Sequence, residues 1–256
     1  MESPPIRVYL AGRVSIEGVG TLIESSRFPG QQGRVALAYL TLERGRPATR
    51  AELAEVLWRD RLPAAWESAL SAIVSKLRSV IAGSALNRVV ELQGARGCYE
   101  LRLPSGAWVD LEAAADAIHE AESAFRAGDP RSAYGPSAVA QHIGRRPFLP
   151  GEQGPWIEGW RDRLRGILLR ALETRAEVYL WNGEHALALQ SAKEIVTMEP
   201  FREAGHRLVM RAHAAMGNTA EALQAYEQCR KRIARELGVD PSPATKATYE
   251  ALLQSL

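Results

Sequence analysis

Apolar residues recur at helical spacing between Arg46 and Ala82 and divide this stretch into a buried side and a polar side. The pattern predicts a short helix, a turn and a longer helix that begins near Pro63 and ends at Ala82. The apolar stripe of the longer helix consists of Leu70, Ile73, Val74, Leu77 and Ile81. Its opposite side carries small polar and basic residues. Such a helix packs its stripe on a core, and its polar face lies either in a DNA groove or in water.

The sequence also marks where these two helices start and stop. Thr49 and Glu52 form a capping box, in which the threonine hydroxyl accepts from the backbone N–H of Glu52 and the glutamate reaches back to the N–H of Thr49. Pro63 suits the first turn of the longer helix, because its missing N–H would have no intrahelical partner there. Gly83 is a natural C-terminal cap.

Strand-like segments flank these helices. Residues 6–28 alternate partly, contain β-branched residues and are interrupted by glycines, which predicts a small antiparallel sheet. Residues 31–43 form a further predicted helix. Beyond the helices, Arg88–Gln93 and Cys98–Leu103 flank a glycine-bounded tip, which predicts a hairpin that presents Arg96. The order of sheet, three helices and hairpin is the outline of a winged helix.

The second half of the chain is predicted to be helical, apart from an irregular Pro/Gly-rich stretch at residues 144–156. The predicted helices are Asp110–Arg126, Ser132–Ile143, Ile157–Trp181, Glu184–Met198, Phe201–Met216, Thr219–Leu237 and Ala244–Leu253. The segment GEHALALQ at Gly183 resembles GNTAEALQ at Gly217, 34 residues later. That offset is the period of tetratricopeptide helix pairs, and a generic helical bundle is the alternative.

These patterns together predict a mainly α fold with a small β component. An N-terminal winged helix is followed by a tetratricopeptide-like helical domain. The Pro104-Ser105-Gly106 segment is the best boundary, because turn-forming residues cluster there between the hairpin and the first helix of the second half. We therefore expect one domain over residues 1–105 and a second over residues 106–256.

Charge is distributed unevenly over a composition typical of globular proteins. The whole chain has a formal net charge of +2, yet residues 1–104 contain 14 Lys+Arg against 10 Asp+Glu, and residues 105–256 contain 18 against 20. A mildly basic N-terminal half favours contact with a polyanion. The sequence shows neither a signal-peptide pattern nor an apolar run long enough to span a membrane, so we expect a cytoplasmic protein without membrane contact.

Little in the sequence indicates catalysis or a cofactor. The two cysteines, Cys98 and Cys229, are far apart and have no metal-type or disulfide spacing. Glu203 and His206 share a helix face, but no further ligands for a metal can be identified, and a packing pair is the expected interpretation. No phosphate-binding or nucleophile motif occurs. We therefore expect no enzyme, no catalytic or metal-binding residues and no cofactor.

The candidate chemistry lies on the polar face of the longer helix and on the hairpin. In a helix-turn-helix protein the second helix enters the major groove, where phosphate contacts position the protein and base contacts specify the sequence. The candidate DNA-binding residues are Ser68, Ser71, Ser75, Lys76, Arg78 and Arg96. We expect the two cations of the helix to contact phosphates and the serines to face the bases. A solvated helix face is the alternative interpretation of Lys76 and Arg78.

At this point the chain resembles a known family, the Streptomyces antibiotic regulatory proteins (SARPs). The resemblance covers nearly the whole chain and rests in the first half on FPGQQGRVALAYLTLERGRPATRAELAEVLW, SALSAIVSKLRSVI and CYELRL. In the second half it rests on WIEGWRDRLRGILLRALETRAEVYLWNGEHALAL and AEALQAYEQCRKRIARELGVDPSPATKATYEALL. The family combines an OmpR/PhoB-type winged helix with a bacterial transcriptional activator domain of tetratricopeptide-like helices.

The resemblance implies a sequence-specific, DNA-binding transcriptional activator of a biosynthetic gene cluster. Such regulators bind direct repeats near promoters as homodimers or side-by-side protomers and recruit RNA polymerase. Val74-Ser75-Lys76-Leu77-Arg78 matches the family's recognition-helix signature, whereas Ser68 and Ser71 replace the frequent Asn and Gln, which could make bidentate contacts to adenine. The alternatives are a protein-interaction scaffold and a ligand-sensing regulator, each with a weakened winged helix.

Overall fold

The computed structural model describes residues 6–59 and 61–254. Residues 1–5, where no export signal is predicted, lie outside the described part. The chain divides into two compact units, one of Met1–Ala113 with Arg145–Leu164 and one of Ala114–Gly144 with Arg165–Leu256. The fold is mainly helical with a small β component, as the sequence predicts: a winged helix in the first unit and tetratricopeptide-like helices in the second.

The first unit begins with a four-stranded sheet. Strands β1 (Arg7–Tyr9), β2 (Ser15–Gly18) and β3 (Thr21–Ile23) form the antiparallel meander that was predicted for residues 6–28. A further short strand, β7 (Trp108–Val109), lies beside β1 and runs parallel to it, so that the order is β3-β2-β1-β7. The sequence pattern did not predict β7, because two residues are too few to show any alternation.

Three helices follow the meander. They are α1 (Gly30–Leu42), α2 (Arg50–Trp58) and α3 (Trp66–Ala82). The predicted start of α3 near Pro63 is wrong by three residues, because the Pro63 carbonyl accepts from the N–H of Trp66 at 3.0 Å in a turn that precedes the helix. The C-terminal end agrees with the prediction: Gly83 is the capping residue, and its N–H donates to the Ser79 carbonyl at 2.9 Å.

The predicted hairpin is present and closes a second, three-stranded sheet. Strands β5 (Glu91–Ala95) and β6 (Cys98–Arg102) pair antiparallel, and the short β4 (Ala48–Thr49) pairs with β6 in the order β4-β6-β5. The tip is the two-residue turn Arg96-Gly97, whose φ angles are 52° and 78°. Positive φ at both positions is the signature of a type I′ turn, whose twist matches that of the strands.

The predicted capping box opens α2. The hydroxyl of Thr49 accepts from the N–H of Glu52 at 3.2 Å, and the Glu52 carboxylate accepts from the N–H of Thr49 at 2.8 Å. Arg46 also binds this carboxylate. The hydrogen bonds from Arg46 and Thr49 lower the pKa of Glu52 to about 2. Two of the N–H groups at the start of α2, those of Thr49 and Glu52, are therefore satisfied by side chains of the same segment.

Replacing Thr49 with alanine is expected to destabilise the first unit by about 1 kcal/mol, because the side-chain acceptor for the Glu52 N–H is lost. Thr49→Ser keeps that acceptor and serves as the matched control, for which we expect less than half of this loss. Urea unfolding followed by tryptophan fluorescence measures both. Equal unfolding midpoints for the alanine variant and the parent would contradict the assigned role of the capping box.

Asp110 joins two parts of the first unit through its buried carboxylate. One carboxylate oxygen accepts from the N–H groups of Leu10 and Ala11 at 2.8 and 2.9 Å, and the other accepts from Leu111 at 2.9 Å. Burial raises the pKa of Asp110 to about 6, and the backbone donors act in the opposite direction. The residue opens α4 (Asp110–Arg126), so it links the end of β1 to the start of a helix one hundred residues later.

Residues 145–164 belong to the first unit, although they are separated from it in sequence. The N–H of Leu149 donates to the Leu10 carbonyl at 3.0 Å, and the N–H of Gly12 donates to the Pro147 carbonyl at 2.8 Å. Phe148 between them is fully buried and packs edge-on against Trp156. The two compact units are therefore interleaved along the sequence, because this Pro/Gly-rich segment pairs with the β1–β2 connection.

The second unit is built from helices. Besides most of α4 and the part of α6 (Pro155–Trp181) from Arg165 onwards, these are α5 (Pro130–Gly144), α7 (His185–Met198), α8 (Glu203–Ala215), α9 (Thr219–Leu237) and α10 (Pro243–Gln254). The 34-residue repeat has a structural counterpart. Gly183 and Gly217 both have positive φ, 77° and 76°, and Ala188 and Ala222 five residues later are both fully buried. Among the described residues, no helix combines the length and apolarity that a membrane span requires.

Candidate nucleic-acid interface

The longer helix of the winged helix has the two faces that its sequence predicts. All five apolar stripe residues of α3 are buried. The five candidate positions on the opposite face are exposed, and so is Arg96 at the hairpin tip. The polar face is therefore available for contact, and the hairpin tip supplies a third exposed cation besides Lys76 and Arg78.

Ser71 differs from the other two serines, because its hydroxyl already has partners. It donates to the Glu67 carbonyl at 2.8 Å, one turn earlier in α3, and accepts from the guanidinium of Arg50 at 3.1 Å. In the described part of the chain no such partner is found for the hydroxyls of Ser68 and Ser75. Of the three predicted base-facing hydroxyls, these two are therefore free to make new hydrogen bonds.

Arg50 is a residue of this site that the sequence interpretation missed. Its backbone N–H donates to the Gly97 carbonyl at 3.1 Å, and its guanidinium donates to the Glu67 carbonyl at 2.9 Å as well as to Ser71. One residue thus connects the start of α2 with α3 and the hairpin. Its position between Thr49 and Glu52 placed it at the start of α2 in the sequence interpretation. Residue spacing alone, however, does not show where a long side chain points.

Arg78 connects α3 with the hairpin. Its Nε donates to the Leu92 carbonyl at 2.7 Å, and its guanidinium carbon lies 5.9 Å from the centre of the Tyr99 ring. Gly94 makes room for it, since a Cβ there would lie 2.5 Å from an Arg78 terminal nitrogen. Arg78 therefore orients the hairpin relative to α3 in addition to presenting positive charge.

Unlike Arg78, the side chains of Lys76 and Arg96 do not link α3 to the hairpin through a hydrogen bond in the described part of the chain. Within residues 6–59 and 61–254, neither side chain forms an ion pair or a side-chain hydrogen bond. Glu67 is the exposed acidic residue in the first turn of α3. The positive charge of the interface therefore lies towards the C-terminal half of α3 and the hairpin tip.

Three further titratable residues, Glu203, His206 and Cys229, are hydrogen-bonded or buried within the second unit. Nε2 of His206 lies 2.9 Å from the Pro200 carbonyl, and burial lowers the pKa of this histidine. Glu203 accepts instead from the N–H and the hydroxyl of Ser242, at 2.9 and 2.7 Å. Cys229 is fully buried, and burial raises the pKa of its thiol to about 11. The described residues contain no group of three His, Cys, Asp or Glu side chains that could hold a metal ion.

Comparison with known proteins assigns the second half of the chain to a family. The family described as the bacterial transcriptional activator domain matches residues 109–253, more than half of the chain. The match covers α4 through almost all of α10, so it includes every helix of the second unit.

Several known regulators match this chain over a longer stretch than the activator domain alone. The regulatory protein AfsR of Streptomyces coelicolor is 36% identical over 88% of this chain and 22% of its own length. The transcriptional regulator RedD of the same organism is 25% identical over 97% of this chain and 70% of its own length. The transcriptional regulatory protein EmbR of Mycobacterium tuberculosis is 25% identical over 86% of this chain and 57% of its own length. The chain thus spans about a fifth of AfsR and somewhat more than half of EmbR.

The fold has a solved counterpart. A structure of Mycobacterium tuberculosis EmbR in complex with a low-affinity phosphopeptide superposes with a TM-score of 0.85 over 99% of this chain and 66% of that chain, at 24% identity. Both halves of the chain, the winged helix and the helical unit, therefore occur together in that protein.

Proposed function

Because the chain belongs to the SARP family of transcriptional regulators, we propose that it binds double-stranded promoter DNA through α3 and the β5–β6 hairpin and activates transcription. The observation that carries the proposal is the exposed polar face of α3 beside an exposed cation at the hairpin tip. A helix of this kind fits the major groove, and a neighbouring hairpin can reach an adjacent phosphate. In this proposal residues 1–105 form the DNA-binding domain, and residues 106–256 form the activator domain.

The structure supports different roles for the six candidate residues. Lys76 and Arg96, exposed and without protein partners among the described residues, anchor phosphates. Arg78 contributes charge and holds the hairpin in place. Ser68 and Ser75 face the bases with free hydroxyls, whereas the hydroxyl of Ser71 is held by Glu67 and Arg50. A serine hydroxyl can bond to several base edges, so direct readout here is less discriminating than a bidentate contact.

The relatives support the wider parts of the proposal. AfsR is a regulatory protein and RedD a transcriptional regulator of Streptomyces coelicolor, and we propose that this chain activates transcription of a biosynthetic gene cluster. Two protomers would bind side by side on direct repeats, and the helical unit would recruit RNA polymerase. DNA-bound protomers spaced by one helical turn present the same face to a partner, which is why direct repeats suit recruitment.

Titration of a duplex from the gene's own upstream region with increasing salt tests the DNA contact. Three phosphate contacts, by Lys76, Arg78 and Arg96, predict a slope of about −3 for log K against log salt per bound protomer. Fluorescence anisotropy measures the slope, with a shuffled duplex of equal length as control. The genuine sequence should bind more tightly than the shuffled one at every salt concentration. A flat salt dependence would contradict the proposed phosphate contacts.

The second candidate function is a protein-interaction scaffold with a weakened winged helix. It is favoured by the engagement of the Ser71 hydroxyl within the protein and by the modest charge of the N-terminal half. The same titration separates the two functions, because a scaffold would leave the duplex unbound at moderate salt.

A further inference from the structure

A groove with a volume of about 800 Å³ lies on the helical unit between α7 and α9, with α8 at its floor. It is far larger than a cavity for ordered water and is within the range of ligand sites. The proposed DNA contact does not use it, since all its lining residues belong to the second unit.

The rim of the groove is positively charged. Four cationic side chains line it, namely Lys193, Lys231, Arg232 and Arg235, and no Asp or Glu residue is among its lining residues. The unit as a whole is not basic, since residues 114–144 and 165–256 contain 14 Lys+Arg and 15 Asp+Glu. The cations are therefore concentrated at the groove and do not reflect the average composition of the unit.

Three of these four cations have no ion-pair partner among the described residues. Arg235 forms an ion pair with its neighbour Glu236. Within the described part of the chain, Lys193, Lys231 and Arg232 form no ion pair or side-chain hydrogen bond. Elsewhere in this unit arginines are commonly paired, as Arg202 is with Glu173 and Arg170 with Glu122. A set of unpaired cations around one groove indicates that the neutralising charge comes from a partner.

The floor of the groove is mainly apolar, with His206 of α8 as a buried polar residue. Val209 of α8 and Ala225 of α9 are buried beneath it, and Val196 of α7 is half-buried beside them. These side chains form an apolar surface between the cationic side chains. Phosphates of a nucleic acid would use the cations but not this floor, whereas a peptide can use both.

We propose that the groove between α7 and α9 binds an acidic peptide segment of a partner protein, with carboxylates on the cationic rim and one apolar side chain on the valine and alanine floor. The inference goes beyond the proposed DNA contact and involves different residues. Its binding titrations contain no DNA, and duplex DNA enters only as a final competitor, so failure of either proposal leaves the other standing.

A fluorescently labelled decapeptide of alternating Glu and Asp with one central leucine is the probe, titrated with the full chain and followed by anisotropy. We expect saturable binding that weakens with salt. The double variant Lys193→Glu with Lys231→Glu should bind about tenfold more weakly, because two attractive charges become repulsive. Arg126→Glu with Arg131→Glu makes the same change in net charge outside the groove and should bind like the parent.

Peptide variants test the chemistry of the site. Replacing leucine with serine should weaken binding about fivefold, because an apolar contact is lost. A lysine-rich peptide of the same length should not bind. The proposal is overturned if the groove variant binds like the parent, if the lysine-rich or serine peptide binds as tightly as the probe, or if duplex DNA displaces the probe.

Discussion

Replacing Asp110 with alanine is expected to destabilise the first unit by about 3 kcal/mol, the largest loss of stability anticipated for any single polar side chain described above. The buried N–H groups of Leu10 and Ala11 lose the Asp110 carboxylate as acceptor, and each unsatisfied buried donor costs about 1–3 kcal/mol. The start of α4 also loses a side-chain bond to the N–H of Leu111. The alanine variant no longer buries a carboxylate, and the desolvation cost that it avoids offsets part of this loss.

Tryptophan fluorescence is well placed to measure the change. Five of the six tryptophans lie in the first unit, namely Trp58, Trp66, Trp108, Trp156 and Trp160. Unfolding by urea followed at these residues therefore reports mainly on the unit that contains Asp110. Asp110→Asn is the matched control: its amide oxygen can still accept from Leu10 and Ala11, so we expect a loss of about 1 kcal/mol. A loss below 1 kcal/mol for the alanine variant would show that these backbone groups find other partners.

Local patterns in the sequence predicted much of the fold, because they reflect interactions between residues that are close together in the chain. The α3 stripe was predicted correctly, since residues three and four apart share a helix face whatever the rest of the chain does. Helices α4 and α9 begin and end at the predicted residues. The repeat was predictable for the same reason, because each helix pair meets its neighbour through residues close in sequence.

Contacts between distant segments could not be predicted in this way. Phe148 and its neighbours pair with the segment after β1, and the pattern of neither segment indicates its distant partner. Asp110 was predicted only as the start of a helix, and its bonds to Leu10 and Ala11 cross one hundred residues. At the candidate site, the exposure of α3 followed from its stripe, but the anchoring of Arg78 and the reach of Arg50 depend on long side chains whose direction spacing does not determine.

The double variant Lys76→Glu with Arg96→Glu is expected to reduce affinity for promoter DNA about 100-fold near 100 mM salt. Two phosphate contacts are lost, and two negative charges are placed against the backbone. Both side chains are exposed and without protein partners among the described residues, so the fold should not change. Arg78 is unsuitable for this test, because its replacement would also free the hairpin from α3.

Anisotropy titration of an upstream duplex with this variant, the parent and Arg126→Glu with Arg131→Glu tests the central claim most directly. The two doubles change net charge equally, and the second places the change on exposed positions of the helical unit. Circular dichroism and the urea midpoint establish that each variant is folded. We predict that the parent and the helical-unit variant bind alike and that the Lys76/Arg96 variant loses about two orders of magnitude. Equal binding by all three proteins would contradict the assignment of α3 and the hairpin as the DNA-binding surface.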